Sequence, residues 1–99
     1  MRKAYVVRIV RTSEGTEYRE RVMGPVKAAK VDRLLLEFAE DEYKHHKGKA
    51  DKYGSQPGRS YVSFGEIEGR IGFIIESPRS LVTYTYEVEY PTRNGVRPS

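Results

Sequence analysis

Residues 81–90, LVTYTYEVEY, alternate without a break: Val82, Tyr84, Tyr86, Val88 and Tyr90 share one parity, and Thr83, Thr85, Glu87 and Glu89 the other. A period of two marks a half-buried strand, because on a helix both sets would scatter around the axis. The run therefore demands a sheet, with backbone partners beside it and something apolar over its aromatic face.

The segments just upstream supply partners. Residues 61–67 and 70–76 are separated by Glu68-Gly69, and a two-residue turn there sets Phe64 opposite Phe73 and Val62 opposite Ile75. Ser77-Pro78-Arg79-Ser80 places Pro second in a turn, which sets Ile75 opposite Val82 and Phe73 opposite Tyr84. Turn chemistry and side-chain pattern thus agree on one apolar face for three strands.

The N-terminal run 2–12 is apolar at both parities, with Tyr5, Val7 and Ile9 on one and Ala4, Val6 and Val10 on the other, as in a central strand. After Ser13-Glu14-Gly15-Thr16 the chain resumes as a more polar strand, 17–23. A three-residue loop with Gly15 left-handed pairs Arg11 with Glu17, Arg8 with Glu20, Val10 with Tyr18 and Val6 with Val22. A two-residue turn would face Arg8 with Arg21, and like charges across a ladder are unfavourable, so the three-residue loop is expected.

Gly24-Pro25 is expected to end that strand, because Pro suits the first turn of a helix. From Val26 to about Lys44, Ala28, Val31, Leu34, Leu35, Phe38 and Ala39 recur at spacings of three and four. Residues 45–59 hold three Gly, one Pro and few apolar side chains, the composition of a mobile loop. The predicted fold class is α+β, ββαβββ, with one long helix packed on an antiparallel sheet of up to five strands. Two small sheets flanking the helix are the alternative. Residues 1–90 form a single domain, and 91–99 are expected to be a flexible tail.

In 99 residues with no Cys, a second core, a disulfide scaffold and a cysteine metal site are excluded. No run approaches the 18 or so apolar residues of a membrane span, so a cytoplasmic location and no membrane contact are the default expectations. Charge is distributed unevenly. Residues 44–59 carry Lys44, Lys47, Lys49, Lys52 and Arg59 against Asp51 alone, which equals the whole chain's net charge of +4. A basic segment with Tyr53 available for stacking suits phosphates contacted without base reading. Lys27 and Lys30, beside the backbone N–H groups expected at the helix start, extend that candidate surface.

Other chemistry is poorly supported. His45 and His46 are adjacent, point about 100° apart on a helix and are flanked by lysines, so no metal site is assigned. No phosphate loop, nucleophile elbow or cofactor motif is present. The carboxylate pairs Glu66/Glu68 and Glu87/Glu89 lie two apart on exposed strand faces and are expected to pair more simply with Arg70 and neighbouring lysines. The stripe Phe64, Phe73, Tyr84, Tyr86 and Tyr90 is expected to be core beneath the helix, and the reverse face an ordinary solvated surface. The expected function is a small non-enzymatic accessory protein that contacts nucleic acid or a nucleoprotein nonspecifically. The alternative is a protein-interaction or inhibitory module docking through the edge strand 17–23 or the Leu36 and Tyr43 side of the helix.

Overall fold

A computed structural model describes residues 2–52 and 60–91. Strands β1 (Lys3–Thr12) and β2 (Glu17–Lys27) precede helix α1 (Ala28–Lys52), and β3 (Tyr61–Ile67), β4 (Arg70–Ser77) and β5 (Ser80–Glu89) follow. All five strands join one sheet in the order β2-β1-β5-β4-β3, every neighbouring pair antiparallel. The two-sheet alternative is thereby set aside. β5 lies at the centre with β1 beside it, so the run 2–12 is an interior strand as expected.

Turn chemistry set the registers. Gly15 has φ 90° and its N–H donates to Thr12 O at 3.0 Å, closing the three-residue loop. Arg11 then faces Glu17, Arg8 faces Glu20 and Val10 faces Tyr18. Phe64 faces Phe73, Val62 faces Ile75, Phe73 faces Tyr84 and Ile75 faces Val82.

Two expectations fail around Gly24. The strand does not stop there; it continues through a cis Gly24-Pro25 bond to Lys27, and α1 begins at Ala28 instead of Val26. Gly24 has φ 126°, and a Cβ there would stand 2.7 Å from the Tyr5 ring and 2.9 Å from Ala4 O. The close approach accompanies register shifts on both sides of Val6, which consequently faces Met23 and not Val22.

The larger correction concerns 45–59. Residues 45–52 are not a loop but the last two turns of α1. The reason is geometric. The helix must carry the chain from edge strand β2 to edge strand β3, from the end of the sheet where β2 finishes to the opposite end, where β3 starts. Four inter-strand gaps and a strand of about ten residues give a diagonal of roughly 38 Å. A helix of 25 residues spans about 37 Å, whereas one stopping at Lys44 falls about two turns short. Gly48 meets nothing within 4 Å and so costs the helix only about 1 kcal/mol. Lys47 pairs with Asp51 one turn on at 2.8 Å, and Lys49 and Lys52 complement the dipole in the last turn.

The core lies between α1 and one sheet face. Ala4, Val6, Val31, Leu35, Ala39, Phe73 and Tyr86 are buried together, with Phe73 stacked on Tyr84 at 4.8 Å. Each fully buried large side chain stabilises by roughly 1.5–3 kcal/mol. Tyr90 departs from the expected stripe: it is 43% exposed, with the Arg2 guanidinium 4.0 Å above its ring.

The reverse face is less simple than a solvated surface, because Val7, Ile9 and Thr85 are also buried there. Arg19 and Arg21 of β2 reach across β1 to Glu87 and Glu89 of β5, and their stems roof Val7 and Ile9. The sheet also coils. Arg11 of β1 and Glu68 in the β3–β4 turn would stand about 20 Å apart in a flat sheet; their side chains meet at 3.2 Å. Paired Gly65 and Gly72 lie where that hairpin bends, and a Cβ on Gly72 would fall 2.1 Å from Tyr84 O.

Candidate functional site

The residues singled out for anion contact fall in two places. Lys44, Lys47, Lys49 and Lys52 ride on the final turns of α1, at the β3 edge. Lys27 ends β2, and Lys30 lies in the first turn of α1, near the opposite edge. The fold therefore does not bring the six lysines together. Tyr53 and Arg59, like the tail 92–99, lie outside the described residues.

At 100° per residue, Lys44, Lys47, Lys49 and Lys52 point in different directions and surround the helix end instead of forming a stripe. Lys47 is bonded to both carboxylate oxygens of Asp51, at 2.8 and 3.0 Å. Lys44 and Lys49 are exposed and make no ion pair among the described residues. The ion pairs that tie strand to strand belong to arginines: Arg8, Arg11, Arg19, Arg21 and Arg70. Arginine suits that task because its fork holds geometry, whereas lysine is a hydrated point charge.

At the other end of α1, Lys3 sits directly opposite Lys27 on the ladder, and no acidic residue occupies the first helical turn. The first helical N–H, that of Ala28, donates to Arg2 O at 3.1 Å. That donor is spent on backbone.

Beneath the helix lies a polar cluster that sequence reasoning missed. Arg8 reaches Glu42 at 2.6 Å and also bonds Glu20, and the Tyr86 hydroxyl donates to the other oxygen of Glu42. Burial works against the Arg8 charge, but its bonds to Glu42 and Glu20 outweigh that and hold its pKa above the ordinary value. Burial, then the bond to Glu42, pushes the Tyr86 phenol up. The signal was present in the spacing: Glu42 follows Ala39 by three residues and His46 follows Glu42 by four, which extends the helical three-and-four spacing of Val31, Leu35 and Ala39 onto the buried face. Arg8 Nη1, Arg8 Nη2 and the Tyr86 hydroxyl are spent within the cluster, whereas the buried Arg8 Nε finds no partner among the described residues; the shared carboxylate makes the cluster a brace between helix and sheet.

One turn on, His46 lies with its ring centroid 5.4 Å from Phe73 and 5.2 Å from Tyr84. Desolvation and the neighbouring His45 lower its pKa, Lys49 and Arg8 add to that, and Glu42 partly opposes it. Tyr43, expected on an exposed shoulder, packs against Phe64 at 5.0 Å; Leu36 is 42% exposed.

No family model, curated protein or solved structure matches the chain at a significant level. Chemistry must therefore be read from the residues alone. Among the described residues, no three His, Asp or Glu side chains are placed to share an ion, and no helix is long and apolar enough to cross a membrane. A cleft between the helix end and β3, lined by Lys47, Asp51, Ser60 and Tyr61, encloses about 130 Å³. Small-molecule pockets usually run from about 300 Å³ upward. Three of the four carboxylates considered for catalysis are tied down: Glu87 lies between Arg19 and Arg70, Glu89 bonds Arg21, and Glu68 bonds Arg11, while Glu66 is exposed and makes no ion pair among the described residues.

Proposed function

We propose that the protein is a non-catalytic accessory factor of the cytoplasm that holds nucleic acid, or a nucleoprotein, by its phosphates through the C-terminal turns of α1. Lys44 and Lys49 make the principal contacts, with Lys47 and Lys52 beside them. The observation that carries the reading is the division of labour between the two basic residue types. Arginines hold the sheet together, while Lys44 and Lys49 remain exposed and outside any ion pair among the described residues. A lysine contacts phosphate as a charge and reads no base, and side chains radiating from a helix end offer no surface to match a groove, so binding is nonspecific.

The test is a double substitution, Lys44→Gln with Lys49→Gln, set against Lys27→Gln with Lys30→Gln at the far end of the helix. Each lost phosphate contact should weaken binding to a duplex oligonucleotide at low salt by a few-fold or more. The first pair should therefore weaken binding strongly and the second little. Equal effects from both pairs, or none, would remove the assignment.

A further inference from the structure

We infer that β3 is a self-association edge: two copies of this chain pair β3 against β3 antiparallel, joining their sheets about a two-fold axis at Ser63. The two edges of the sheet are built differently. Edge strand β2 carries Glu17, Arg19, Glu20 and Arg21 in a row, then a Pro and register shifts against its neighbour, the devices that keep an edge from pairing. Edge strand β3, YVSFGEI, has one charge, no Pro and an unbroken register from Tyr61 to Ile67.

Among the described residues no strand lies beyond β3, and its backbone is in the right phase. Glu68 and Gly69 have φ 52° and 81°, the signature of a two-residue hairpin turn whose closing pair, Ile67 and Arg70, exchanges both hydrogen bonds. Alternation then commits Gly65, Ser63 and Tyr61 to β4 and turns the N–H and C=O groups of Glu66, Phe64 and Val62 outward.

With Ser63 opposite Ser63 of the second copy, each side chain meets a compatible one. Val62 meets Phe64 in a hydrogen-bonded pair on the helix side. Tyr61, 55% exposed, meets Gly65, above which no atom lies within 4 Å of a Cβ position. An aromatic ring over a strand glycine is a favourable cross-strand contact. Ser60 meets Glu66. A foreign strand could find the same outward backbone, but only a second copy guarantees all these pairings at once.

Sedimentation equilibrium of the full chain should show a monomer–dimer equilibrium. Because the chain has no Cys, Ser63→Cys provides a clean reporter. Opposed residues of a non-hydrogen-bonded pair have Cα atoms about 4.5 Å apart, within disulfide range. Mild oxidation should give a covalent dimer, whereas Ser80→Cys at the exposed start of β5 should not. Ser63→Lys places like charges on the axis and should weaken the dimer at least about tenfold while leaving the far-UV spectrum unchanged. A chain that stays monomeric at its highest soluble concentration overturns the inference, as does a dimer in which Ser63→Cys links no better than Ser80→Cys.

Discussion

Tyr86 and Arg8 stand side by side on the central strands and share the carboxylate of Glu42, which α1 lowers onto the sheet between them. One acidic side chain thus fixes both the height and the rotation of the helix. Replacing Glu42 by Gln removes the charge that Arg8 faces from the helix, and Ala also leaves the Tyr86 hydroxyl without its acceptor. The Arg8 and Glu42 side chains are about three-quarters buried, at 22% and 23% exposure. Losing one partner of such a pair should cost on the order of 2–3 kcal/mol for Glu42→Ala. Tyr86→Phe spares the ion pair and should cost about 1 kcal/mol. Urea unfolding of the two variants checks the order; equal costs would contradict the central role given to Glu42.

Gly72 and Gly65 face each other across the β3–β4 ladder yet differ sharply in the space available. A Cβ on Gly72 would stand 2.1 Å from Tyr84 O and 3.0 Å from Thr85 Cα, both backbone atoms that cannot swing aside, whereas one on Gly65 meets nothing within 4 Å. Gly72→Ala should lower stability by about 3 kcal/mol or more, and Gly65→Ala by less than about 1 kcal/mol. Thermal denaturation of the pair measures the contrast.

His46 gives stability a pH dependence of definite sign. Its folded pKa lies below the ordinary 6.5, chiefly through desolvation and then His45. The unfolded chain therefore binds more protons than the folded one between those two values. Its contribution is complete above pH 6.5, is lost as pH falls from 6.5 toward the folded pKa, and levels off below it. The melting temperature should fall over that window, and His46→Gln should flatten the fall. An unchanged slope in His46→Gln would show that the ring does not titrate in this environment.

Arg11 and Glu68 report the coil of the sheet, because they meet only if the β3–β4 hairpin curls over the reverse face. The pair is 45% and 61% exposed, so its coupling in a double-mutant cycle should be below about 1 kcal/mol and should shrink with salt. A nitroxide pair placed at the two positions should report a distance well inside the roughly 20 Å of a flat sheet.

The strand registers were legible because each rested on a turn that Gly or Pro names and on side-chain pairs only one alignment satisfies. Phe64 with Phe73 and Arg8 with Glu20 are of that kind. The end of α1 was not legible, because residues 45–52 are polar all round and only the width of the sheet tells the helix to continue. Glu42 was missed for a related reason: a carboxylate in an apolar stride is recognisable as buried only once Arg8 is known to lie beneath it. Burial of Val7 and Ile9 under Arg19 and Arg21 was hidden too, since it depends on side chains crossing an intervening strand. The exposed lysines needed no structure to be noticed, but their arrangement around a helix end did.

The most direct test of that arrangement is the equilibrium constant for a duplex oligonucleotide measured across a range of salt concentrations. With two to four lysines at phosphates, log K should fall against log salt with a slope of about −2 to −3.5, and should be indifferent to sequence. Binding that is absent at low salt, or tight and insensitive to salt, would contradict the account.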